Sequence, residues 1–166
     1  MNAEAYREAL DSAYELASAG RRGEAFRLVN DLLRDGPPSP ELLVLRAQLI
    51  QLLTGDECER NPDATLESAE ESLRTACAVA PDSARPLMEL GYFEYAVIER
   101  SDDALEHFAA AERILEQDLR ECLVGAARAY FDLGRPDEAW EVVARLRVFF
   151  PDFDASEILG QPGGDE

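Results

Sequence analysis

Lysine is missing altogether: all 16 basic residues of the 166-residue chain are arginine. GC-rich codon usage or adaptation to high salt explains such a bias. Selection against a modifiable amine, beside a lysine-conjugating system, is the sharper alternative. Basic residues are also few. Against 35 Asp and Glu they leave a net charge of −19, a field that opposes every phosphate contact a nucleic-acid binder needs and repels an anionic membrane leaflet. No apolar run approaches the roughly 18 residues of a membrane span; the run Leu42 to Leu45 stops at Arg46. Three cysteines, Cys58, Cys77 and Cys122, stand 19 and 45 positions apart without a CxxC pair or a neighbouring histidine, which predicts reduced thiols. The opening Met1-Asn2-Ala3-Glu4 has neither a basic stretch nor an apolar leader, so a cytoplasmic protein is expected. At 46% apolar residues the chain nevertheless holds ample material for a core.

Catalytic groups are equally sparse. The one histidine, His107, lies between Glu106 and Phe108 with no nucleophile or metal ligand at a usable spacing, and reads as a surface or boundary residue. Adjacent carboxylates such as Glu70-Glu71 and Asp102-Asp103 point about 100° apart on a helix and read as solvated faces. The oxygen-rich stretch from Asp56 to Asp63 places Cys58 and Arg60 where a calcium loop needs ligands. Gly160, Gly163 and Gly164 open no helix and cradle no phosphate. No enzymatic activity, cofactor or metal is expected.

What the chain does contain is a repeat. Ala104, Phe108 and Ala111 are spaced as Ala139, Val143 and Leu146, 35 positions on, and as Ala69, Leu73 and Ala76, 35 positions back. Ala25, Val29 and Leu32 form a fourth copy. Pro37, Pro81 and Pro151 fall twelve residues after three of these alanines, where the third copy has Glu116. A second helical stretch precedes each string, clearest in Leu90-Gly91-Tyr92-Phe93-Glu94-Tyr95-Ala96. The turns between read Gly20-Arg21-Arg22-Gly23-Glu24-Ala25 and Gly134-Arg135-Pro136-Asp137-Glu138-Ala139.

In these features the chain resembles the tetratricopeptide repeat family, over residues 6 to 151. The resemblance implies an all-α fold: a right-handed α-solenoid of about four helix-turn-helix repeats, at 6–39, 40–83, 84–118 and 119–151, within a domain spanning 1–159. Ala25 and Ala69 are 44 positions apart, so the second repeat carries an insertion of about ten residues near 54–63. The periodicity predicts helices at about 2–19, 22–35, 40–54, 63–80, 84–99, 101–115, 118–133 and 136–150. A cap over 152–159 and a disordered acidic tail over 160–166 complete the expectation.

The family resemblance further implies that the first helix of each pair lines a concave groove holding a partner peptide. By position, Arg7, Leu10, Asp11 and Tyr14 belong there, with Val44, Gln48 and Gln51, with Arg85, Met88, Glu89, Tyr92 and Tyr95, and with Val124, Arg128 and Phe131. Met88, Tyr92 and Tyr95 share one helix face, and Tyr and Arg often anchor interfaces. Three arginines against two acids at these positions lead us to expect a partner carboxylate on Arg7, Arg85 or Arg128, and a basic partner on the acid-rich outer helices. The Lys/Asn/Arg clamp of family members that hold chaperone C-termini has no counterpart. The expectation is a non-catalytic adaptor binding another protein or peptide, with an acidic dedicated chaperone for a basic or secreted client as the alternative. Trp140 and Phe149-Phe150-Phe153 suit either an end cap or a homo-oligomer seam.

Overall fold

The computed structural model describes residues 3–159. Regular structure among them is helical throughout: α1 (Ala3–Ser18), α2 (Arg22–Asp35), α3 (Pro40–Leu52), the single turn α4 (Asp56–Glu59), α5 (Leu66–Val79), α6 (Ala84–Ala96), α7 (Ser101–Asp132), α8 (Pro136–Phe149) and the single turn α9 (Ser156–Leu159). The expected tail over 160–166 lies outside the described residues. The chain divides into two compact units between Glu112 and Arg113.

Local signals set the helix ends. Ser39 caps α3, its hydroxyl accepting from the Leu42 amide, with Pro40 at the first helical position. Thr65 and Ser68 form a reciprocal capping box at the start of α5. The turns before α2 and α8 repeat one design. Gly20 and Gly134 take φ of +77° and +68°, a region glycine enters without strain. Arg21 and Arg135 then pair with Glu24 and Glu138 three residues on, at 2.6 and 2.8 Å.

The repeated string is the core. Ala25, Val29 and Leu32, then Ala69, Leu73 and Ala76, then Ala104 and Ala111, then Ala139, Val143 and Leu146 are all buried. Each of the larger side chains contributes about 1.5–3 kcal/mol of burial, while the alanines let helix backbones approach. In the first unit α1 packs on α2, α2 on α3, α3 on α5 and α5 on α6, around Phe26, Leu42, Leu49, Leu73, Leu90 and Phe93. Gly91 lets α7 close on α6: a Cβ there would stand 3.0–3.1 Å from the Phe108 ring. In the second unit Leu123 and Ala127 of α7 meet Val142, Val143 and Leu146 of α8. Phe153 and Ile158 are buried in that core and Phe150 packs against it, whereas Phe149 is 56% exposed.

One helix boundary differs from the expectation. Instead of helices at 101–115 and 118–133, α7 runs unbroken for 32 residues. The helices that carry the other three strings, α2, α5 and α8, end two residues short of Pro37, Pro81 and Pro151, because a residue before proline is pushed out of helical conformation. Glu116 imposes no such stop. The insertion near 54–63 contains α4 and folds back on α2: Glu57 accepts from the Gly23 amide at 3.3 Å. Buried Asn61 donates to the Glu57 carbonyl at 2.7 Å. Cys58, Cys77 and Cys122 are free thiols. No helix among the described residues is long and apolar enough to cross a membrane.

Candidate interaction surface

Three helices from successive pairs, α1, α3 and α6, wall a cavity of about 270 Å3. Tyr14 comes from the last turns of α1, Pro40, Glu41, Val44 and Gln48 from α3, and Arg85 and Pro86 from the start of α6, with Ser83 just ahead of it. The cavity thus lies beside the proline-marked first turns of α3 and α6. Pro40, Val44 and Pro86 give it apolar walls, and Tyr14 offers a ring that is 45% exposed.

Of the residues the sequence assigns to a partner, Tyr14, Val44, Gln48 and Arg85 meet at this cavity. Arg85, its side chain 67% exposed, pairs with Glu89 one turn on at 2.6 Å. The other oxygen of Glu89 accepts from Gln48 at 3.0 Å, so α3 and α6 are tied by Gln48, Glu89 and Arg85. Gln51 returns its amide to the Ala47 carbonyl of its own helix. Tyr92 and Tyr95 are 56% and 60% exposed on α6, with Met88 half-buried one turn before. Tyr92 is held edge-on to Phe108 at 5.0 Å. Leu10 packs against the first core and supplies little surface, while Arg7 and Asp11 are exposed on α1. Val124, Arg128 and Phe131 belong to the second unit. There Val124 and Phe131 lean on its core, Phe131 edge-on to Trp140 at 5.7 Å.

Sequence reasoning missed the strongest electrostatic feature. Glu94 on α6 is fully buried. One of its oxygens lies 2.7 Å from Nδ1 of His107, the other 3.1 Å from Arg74 and 3.6 Å from Arg100. Arg74 and Arg100 also converge on Glu70, and His107 additionally contacts the Asp103 carbonyl at 2.9 Å. His107 is therefore no idle boundary residue: it fastens α7 to α6. Burial opposes the charge on Glu70, but hydrogen bonds from Arg100 and Arg74 outweigh it and hold the carboxyl below the usual glutamate range. The available signal was helical spacing, since Glu94 lies four residues after Leu90 and three after Gly91, on their inward face.

Arg46 is a second polar side chain set among apolar neighbours. It donates to Asn30 at 2.7 Å, to the Ser68 carbonyl at 2.9 Å and to Ser72 at 2.6 Å, and lies 5.5 Å from the centre of the Phe26 ring. Burial lowers its pKa from the ordinary arginine value against the pull of Asp63 and Glu71. These bonds stitch α2, α3 and α5. Among the described residues no cluster of His, Cys, Asp or Glu is arranged to hold a metal ion.

No protein-family model matches the chain. It is 32% identical over 139 residues to an uncharacterized 18.1 kDa protein of the carS 3′ region of Myxococcus xanthus, a match covering 82% of this chain and 78% of the relative. The chain belongs to the same family as that protein.

Proposed function

We propose that this protein is a non-catalytic adaptor, built from tetratricopeptide-like helix pairs stacked as a solenoid, that holds a segment of a partner protein against α1, α3 and α6. One observation carries the reading: Tyr14, Val44, Gln48 and Arg85, from the first helices of three successive pairs, line a single open cavity. On the same helix as Arg85, Tyr92 and Tyr95 remain more than half exposed, although rings of this size are ordinarily drawn into cores or interfaces. The titratable cluster at Glu94 and His107 serves to fasten helices, which leaves recognition as the role of this surface.

The test is co-purification from the native cell with the full chain. Tyr92→Ala combined with Tyr95→Ala is expected to weaken capture of a verified partner by at least about 2 kcal/mol while preserving far-UV ellipticity. Unchanged capture rejects the surface. A second reading, an acidic chaperone for a basic client, draws on the charge of −19. It predicts a complex that weakens steeply with ionic strength, whereas packing on tyrosines is nearly indifferent to salt.

A further inference from the structure

The geometry points to a more definite occupant for the cavity between α1, α3 and α6: an arginine or lysine side chain of the partner segment. This inference rests on the adaptor reading and gives its surface a chemistry, opposite in sign to the one the arginine count suggests. Two charged side chains line the cavity, Glu41 and Arg85. Arg85 is neutralised by Glu89 at 2.6 Å, and Glu89 is held in place by Gln48. The Glu41 carboxylate has a hydroxyl partner, Ser39 at 2.6 Å, and no cation on it among the described residues. It is exposed.

The remaining walls suit the rest of a basic side chain. Pro40, Val44 and Pro86 can cover an aliphatic stem. Tyr14 presents a ring on which a guanidinium or ammonium is attracted by the π face. The volume, about 270 Å3, is ample for one such side chain. At longer range the net charge of −19 raises the local concentration of cationic segments and speeds their encounter. An anionic or purely apolar group would leave Glu41 uncompensated as water is displaced.

The experiment titrates the full-length 15N-labelled protein with N-acetyl-L-arginine amide, followed by amide chemical shifts. N-acetyl-L-citrulline amide, of nearly the same shape without the charge, is the control. Saturable shifts in the millimolar range are expected at Tyr14, Glu41, Val44, Gln48 and Arg85, with citrulline inducing far less. Glu41→Gln and Tyr14→Ala should each weaken the response by at least about threefold, the size of one exposed cation–π contact. Glu67→Gln, which removes an acid from the start of α5, should leave it unchanged. Retained dispersion of the amide spectrum shows that each variant is folded. Three results overturn the inference: shifts spread over the acidic surface, equal binding of citrulline, or indifference to Glu41→Gln. Cavity shifts that depend on protein concentration without the probe assign the site to a second copy and overturn it as well. If arginine ignores the cavity while Tyr92→Ala with Tyr95→Ala still loses the partner, the adaptor surface stands and only its proposed chemistry falls.

Discussion

At the scale of single residues, charge inside this molecule is arranged against its overall sign. Glu94 tolerates complete burial because His107, Arg74 and Arg100 surround it, and a buried carboxylate without such partners would neutralise itself or prevent folding. Glu70 completes the cluster by holding the same two arginines. Its carboxyl is depressed in the folded chain, burial being outweighed by the hydrogen bonds from Arg100 and Arg74. A group with a lowered folded pKa stabilises above its unfolded value and loses that contribution as pH falls through the folded one. Stability should therefore decline on acidification from about pH 4.3, the ordinary glutamate value, downwards. Glu70→Gln should lower stability at neutral pH and flatten that acid limb. Urea melts of both proteins between neutral and acidic pH check this, and parallel curves would show that Glu70 titrates without coupling to folding. The cluster escaped the sequence because an acid two residues from a tyrosine in an amphipathic helix reads as solvent-facing. Only its register with Leu90 and Gly91 marked it as inward.

At the scale of elements, much of the architecture was legible. The alanine-led strings, the arginine-bearing glycine turns and the period-ending prolines each act through local backbone physics, so they place α2, α3, α5, α6 and α8 within a few residues of their observed ends. The junction after the third string had no such signal. Leu115, Glu116 and Gln117 are all good helix formers, and without a proline the helix continues, so a repeat boundary drawn by analogy failed there. Glu116→Pro discriminates the two descriptions. In an inter-repeat turn it would be neutral. Within continuous α7 it removes an amide donor and crowds the preceding turn, costing about 3 kcal/mol. A lower melting midpoint with reduced ellipticity at 222 nm is expected, and an unchanged melt would restore the break. The candidate surface was legible only in part. Position along the repeat placed Tyr14, Val44, Gln48 and Arg85 on one surface, but it could not reveal that Gln48 ties Glu89 across to α3 or that Leu10 turns to the core, since both depend on side-chain packing between helices.

At the scale of the whole molecule, the excess of acids is a cost that the fold carries everywhere except in its buried cluster. Several ion pairs are exposed on both sides, such as Arg21 with Glu24, Arg34 with Asp31 and Arg135 with Glu138, and pairs of this kind contribute about 0–1 kcal/mol each. Long-range repulsion among the uncompensated carboxylates acts against them, because a net charge far from zero destabilises the compact state. The two effects respond oppositely to salt: screening weakens the pairs and relieves the repulsion. With a Debye length of about 10 Å at 0.1 M, the short pairs are screened less than the carboxylates spread across the surface, and the partly buried contacts at Glu94 less still. Raising sodium chloride from about 0.01 to 0.15 M, where the Debye length falls from about 30 to 8 Å, should therefore lift the melting midpoint. For a chain of this length an increment of about 1–2 kcal/mol corresponds to a few degrees. Replacing two exposed acids remote from the cavity, Glu67→Gln and Glu106→Gln, should reproduce part of that gain at low salt and reduce the further response to salt. A midpoint that falls as salt is added would mean that the arginine pairs dominate the electrostatics. The net charge would then have to be explained by what it attracts in the cell.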